Sequence, residues 1–209
     1  MGNVEFTIIN IGTLSMNKYW HETERVRTPS ATCTLLETSG KRLMVDPSPE
    51  PALLEQLLFE RAGLKKSEVD QIYLTHYHKD HRFGLDLFAG KPWLIASAGF
   101  GEWAQRFPED KELMRRFSPA EENLPEGVSL YPSPGHTYGH HSLIADTAWG
   151  KLIVAGDAVM TRDFYEAEDG FHNSVDFGQV KETIRKIHAE ADLVIPGHGN
   201  VILDLKKRG

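Results

Sequence analysis

The chain has 209 residues, 40% apolar and 25% charged, with 23 Lys plus Arg against 30 Asp plus Glu and a formal charge of −7. One domain over residues 1–209 is therefore expected, and the acidic balance argues against a surface built for nucleic acid or an anionic membrane. No apolar run approaches the ~18 residues of a membrane span, the start lacks the basic stretch of a secretion signal, Phe6 stands where a myristoylation motif needs Ser or Thr, and the lone Cys33 fits a reducing compartment, so a soluble cytoplasmic protein is expected.

In chain order, residues 4–11 read as a first strand, and residues 32–37 and 42–45 flank Ser39-Gly40, a turn signal that makes them a hairpin. From Ala52 to Ala62, Leu53, Leu54, Leu57 and Leu58 share one helical face and Gly63 is a natural stop, which predicts a helix laid on a sheet. Residues 72–75 and 93–96 are short apolar strands. Residues 99–122 look helical but carry Pro108 and Pro119, which predicts two short helices over the pocket or the sheet. Residues 128–131, 142–145 and 152–155 are further strands, the last two joined through Trp149-Gly150. Asp176, with Gln179 three residues on, is an N-cap signal for a last amphipathic helix marked by Val180, Ile184, Ile187 and Ala191, before a strand at 193–195. Strands and helices that alternate without internal repeats define an α/β fold.

Ten histidines are the compositional oddity. Four of the predicted strands end at a metal-capable side chain, respectively at His76, Pro134-Gly135-His136, Gly156-Asp157 and Pro196-Gly197-His198. The densest cluster is His76-Tyr77-His78-Lys79-Asp80-His81. In an extended segment His76 and His78 point the same way, while Asp80 and His81 at the following turn can reach a second ion. With His136, Asp157 and His198 the set exceeds one tetrahedral shell. Two ions sharing Asp157 divide it evenly, with His76, His78, His136 and Asp157 on one, and Asp80, His81, Asp157 and His198 on the other. Imidazole and carboxylate donors suit zinc, with iron or manganese the alternatives. A hydroxide between the ions would be the nucleophile, and Asp80 would orient it or move its proton.

At these residues the sequence resembles the metallo-β-lactamase superfamily: His76-x-His78-x-Asp80-His81, Pro134-Gly135-His136-Thr137 with Gly139-His140, Gly156-Asp157-Ala158 and Pro196-Gly197-His198-Gly199 stand in the order of its metal motifs. The resemblance implies an αββα sandwich of two packed mixed sheets with helices outside, and hydrolysis of an ester, lactone, thioester or amide carbonyl of a small molecule. It also implies no nuclease branch, whose chains are longer, and no glyoxalase II, because 11 residues follow His198. Residues 134–143 and 156–158 are most similar to N-acyl homoserine lactonases. Those enzymes place a carbonyl-polarising Tyr three residues after the bridging Asp, whereas this chain has Met160, with Tyr165 the candidate substitute. Thr161-Arg162-Asp163-Phe164 resembles persulfide dioxygenases, which use a single iron, and gives an oxygenase as the alternative.

Among the remaining residues, His21 and His172 are candidates for the pocket lining, and Arg25, Arg27 and Arg162 for receiving a substrate carboxylate. His140 and His141 are expected to support ligands rather than bind metal. His188 and Lys206-Lys207-Arg208 are expected in solvent, and Cys33 as a small buried hydrophobe.

Overall fold

The computed structural model describes residues 3–203, so the Met1-Gly2 start and the Lys206-Lys207-Arg208 tail lie outside the described residues. β1 (Glu5–Asn10), β2 (Cys33–Thr38) and β3 (Lys41–Val45) form an antiparallel meander. Ser39 and Gly40 turn β2 into β3 with φ of 48° and 73°, the left-handed pair that a tight hairpin requires. α1 (Pro51–Ala62) then crosses to β4 (Gln71–Leu74), which lies parallel to β3. β5 (Trp93–Ile95), α2 (Ser97–Arg106), α3 (Lys111–Met114) and β6 (Phe117–Pro119) complete a six-stranded sheet in the order β1-β2-β3-β4-β5-β6.

The second half starts with the antiparallel strands β7 (Val128–Pro132), β8 (His141–Thr147) and β9 (Gly150–Gly156). α4 (Arg162–Glu166) and α5 (Phe177–Glu190) lead to β10 (Leu193–Pro196), parallel to β9, and β11 (Ile202–Leu203) closes a five-stranded sheet in the order β11-β10-β9-β8-β7. The Asp176 carboxylate caps α5 by accepting the Gln179 N–H at 2.9 Å.

Alternation along the strands produces the layers. Successive residues point to opposite faces, so Leu36 and Leu43 meet Leu152 and Val154 between the sheets, while their neighbours Leu35 and Met44 face outward against Leu54 and Leu58 of α1 and Trp103 of α2. On the far side Ile153 and Val194 meet Val180, Ile184 and Ile187 of α5. The result is the four-layered αββα sandwich. Each fully buried Leu or Ile contributes roughly 1.5–3 kcal/mol, so the hydrophobic stabilisation resides in these three apolar layers.

Three expectations need correction. Leu53 is 49% exposed, because 100° per residue carries it off the stripe that Leu54 and Leu58 bury. The stretch from Gly99 onward contains two helices over the first sheet, one of the two expected places, but it is not helical to its end, because Phe117–Pro119 form a strand, β6. His188 is not a solvated group: its ring stacks on Tyr165 at 3.8 Å and its Nε2 bonds the Tyr165 carbonyl at 3.0 Å. Among the described residues no helix is long and apolar enough to cross a membrane.

Candidate metal centre

The carboxyl ends of β4, β9 and β10 and the β7–β8 loop meet at one edge of the sandwich, and each delivers donors there. The segment after β4 supplies His76, His78, Asp80 and His81, the β7–β8 loop supplies His136, β9 supplies Asp157, and β10 supplies His198. Gly197 is required for this convergence, because a Cβ there would sit 2.0 Å from Asp157 Oδ1. Gly156 is required too: its φ is 52°, and a Cβ would lie 2.5 Å from Thr75 Oγ1.

All seven side chains expected as donors gather into two groups, His76/His78/His136/Asp157 and Asp80/His81/His198. In the first, His78 Nδ1 lies 2.8 Å from His76 Nε2 and 3.0 Å from His136 Nε2, and Asp157 Oδ2 lies 3.2 Å from His136 Nε2 and 3.7 Å from His76 Nε2. In the second, Asp157 Oδ1 lies 3.1 Å from His81 Nε2 and 3.3 Å from His198 Nε2, and Asp80 Oδ2 lies 3.7 Å from His198 Nε2. Donors at roughly 2.0–2.1 Å from a tetrahedral zinc are separated by about 3.3 Å, close to these spacings.

Hydrogen bonds behind the rings fix which nitrogen faces inward. Asp46 Oδ2 accepts the Nδ1 hydrogen of His81 at 2.9 Å, and Asp46 also accepts from the Thr75 backbone N–H and hydroxyl at 2.9 and 2.8 Å. Because that hydroxyl donates to Asp46, its oxygen accepts from His76 Nδ1, at 3.2 Å. His198 Nδ1 donates to the carbonyls of Ser30 at 2.9 Å and Thr13 at 3.1 Å. Each ring therefore turns its Nε2 toward the carboxylates. His81 Nε2 and Asp157 Oδ1 are buried and, although close, are not aligned to bond each other; neither has a hydrogen-bond partner among the described residues. Buried polar atoms that face one another without a hydrogen bond are what a bound cation would satisfy.

The electrostatics agree. Burial and the neighbouring imidazoles hold His76 and His136 well below the ordinary histidine range, so both are neutral donors. Burial opposes charge on His81 and His198, but the Asp157 carboxylate outweighs it and raises both. Asp157 is held well below the carboxylate range: burial works against its charge, and His81, His198 and His136 overcome that. Here a metal ion would replace the proton that the carboxylates otherwise attract.

The site floors a pocket of about 220 Å³ walled by Leu14, Met160 and Phe171 on its apolar side. A family model, described as the metallo-beta-lactamase superfamily, matches residues 26–198. The chain belongs to this superfamily. It is 27% identical over 199 residues to an N-acyl homoserine lactonase of Bacillus cereus, covering 79% of this chain and 80% of that protein. It is 31% identical over 180 residues to human metallo-beta-lactamase domain-containing protein 1, covering 81% and 62% of the two chains. Among solved structures, a Thermotoga maritima metallo-beta-lactamase-type protein superposes with a TM-score of 0.73 at 20% identity, covering 96% of this chain and 99% of that one. Bacillus thuringiensis AiiA with N-decanoyl-L-homoserine at its active site superposes at 0.66 and 20% identity, covering 100% and 96%.

On the superfamily scaffold the other expected site residues divide. Met160 and His172 line the pocket. Tyr165 does not: α4 turns it into the buried cluster with Val180 and Ile184, against His188. His21 does not either; it caps a 3-10 turn at φ 61° and is exposed. Of the arginines, only Arg25 lines the pocket, while Arg27 is tied to Glu22 and Arg162 to Glu166. His140 is buried and bonds Ser133 Oγ through Nδ1 at 2.8 Å, as a supporting residue would. Cys33 is fully buried beside Met44, and burial pushes its thiol up. Asp46 is the residue the sequence reading missed. Its signal was a carboxylate immediately after β3, the strand paired in parallel with the metal-bearing β4.

Proposed function

We propose that this superfamily member is a dinuclear metal-dependent hydrolase of small acyl compounds, with zinc the best match to its donors and iron or manganese next. The reading rests on one observation: Asp157 directs Oδ2 to one imidazole set and Oδ1 to the other. Two divalent cations there would supply a lowered water pKa and stabilisation of the oxyanion formed at an ester, lactone, thioester or amide carbonyl.

The chain's own groups do the rest. Asp80 is half-buried and lines the pocket, so its carboxylate can hold the attacking water and take its proton. Asp46, Ser30 and Thr13 keep His81 and His198 oriented through catalysis. Leu14, Met160 and Phe171 exclude water from one side and seat an apolar part of the substrate. The relatives named as lactonases support a lactone or ester among the substrates.

Metal analysis of protein purified without added metal, paired with a panel of chromogenic esters, lactones, thioesters and phosphodiesters, tests this. About two divalent ions per chain with carbonyl-ester hydrolysis is the expected outcome. A single iron with oxygen consumption on a persulfide would replace this reading with the oxygenase.

A further inference from the structure

The lining of the pocket carries more cationic character than metal binding needs. Arg25 and Lys79 both line it beside the donors, and neither has a hydrogen bond or ion pair to a carboxylate among the described residues. Other lysines and arginines of the molecule also lack a carboxylate partner among the described residues, but these two stand at the pocket, whereas Arg27, two residues from Arg25, is bound through both terminal guanidinium nitrogens to Glu22. Among the described residues the only carboxylates in the lining are Asp80 and Asp157, which face the imidazoles. His172 and Asn173 lie in the same lining, and burial with the nearby Arg25 charge lowers the His172 pKa, which leaves its ring a neutral hydrogen-bonding group.

We infer that Arg25 and Lys79 form an anion-receiving rim, and that the substrate is an acyl compound carrying a carboxylate away from its scissile carbonyl. This inference rests on the hydrolase reading above and names its substrate class. A planar guanidinium forks onto a carboxylate through two parallel N–H donors, and a lysine beside it adds a second positive charge. A neutral acyl chain would leave both cations unpaired at the mouth of a partly apolar pocket. An anionic one neutralises them, is steered inward by them, and is held with its carbonyl toward the donors.

The test compares two probes of equal length and leaving group, the 4-nitrophenyl monoester of glutarate and 4-nitrophenyl pentanoate, on metal-loaded protein. We expect kcat/KM at least tenfold higher for the glutarate monoester, carried by KM and shrinking as salt is raised. In Arg25→Gln/Lys79→Gln the ratio should fall toward one, whereas Arg61→Gln/Lys181→Gln, which removes equal charge from the helices α1 and α5, should leave it intact.

Equilibrium binding of glutarate and pentanoate, each with one carboxylate free for the metals, provides a readout without turnover. Glutarate should bind at least tenfold more tightly, and the advantage should vanish in the Arg25→Gln/Lys79→Gln protein. Hydrolysis of both esters at equal kcat/KM with equal affinities would overturn the anionic rim and leave the hydrolase standing. No hydrolysis of either ester, with the glutarate advantage present, would overturn the hydrolase reading and keep the rim. Equal affinities in the absence of hydrolysis would overturn both.

Discussion

Met160 lies three residues after Asp157 and presents a thioether to the pocket, with no hydrogen to donate to a developing oxyanion. Tyr165 is packed away in the core, so it cannot take over that role. One missing donor costs roughly a hundredfold or more in turnover, which predicts weak hydrolysis of homoserine lactones and better rates on esters with good leaving groups. Met160→Tyr should raise kcat for a lactone more than for an aryl ester; equal gains would mean that the hydroxyl is not aimed at the carbonyl. Asp157→Ala removes a donor from both groups and should empty both positions, whereas His198→Ala should empty mainly one, as metal stoichiometry will read. The convergence of these side chains was legible in the sequence because metal-capable residues stand together just past strand ends. Asp46 was not, since Val45-Asp46-Pro47 reads as an ordinary turn and only the folded register brings it to His81. Tyr165 lies five positions after Met160, but its side chain's direction was decided by α4, and no spacing rule reports it.

Among the elements, α1 shows how narrow a buried stripe is. Leu54 and Leu58 are fully buried and Leu53 half-exposed. Leu54→Ala should cost about 2–5 kcal/mol of unfolding free energy, and Leu53→Ala no more than about 0.5 kcal/mol, measured by denaturant melts. Periodicity placed this helix correctly but widened its face by one residue. The long apolar strands were equally readable, while β6 has three residues and ends in Pro119, so pairing with β5 creates it and no intrinsic pattern announces it. The loop before β2 is anchored from outside its own sequence: Asp163 accepts from Asn17 at 3.1 Å and from the Trp20 indole at 3.0 Å, and Asp169 accepts from the Tyr19 hydroxyl at 2.8 Å. These bonds join the two segments that flank the pocket mouth, and they lie between residues some 150 apart in sequence.

At the scale of the molecule, protonation and metal act on the same stability. Burial lowers the pKa of His140 to about 3, so the folded protein keeps the ring neutral while the unfolded chain takes up a proton below roughly pH 6.5. The stability that His140 allows is complete above that value and is lost as pH falls toward 3. His140→Gln removes this proton uptake, and its melting temperature should depend less steeply on pH between about 6.5 and 4 than that of the natural protein. Chelation should abolish activity yet leave most far-ultraviolet dichroism, because the three apolar layers contain none of the donors. The donors do, however, come from both sheets: Asp80 and His81 follow β4, Asp157 follows β9 and His198 follows β10. An ion held between them is a clasp that closes only after the sandwich has closed. It should therefore leave the refolding rate unchanged and slow only the opening, so that stopped-flow measurements show chelator accelerating unfolding alone, and the resident metal sets the lifetime of the native state rather than the speed of reaching it.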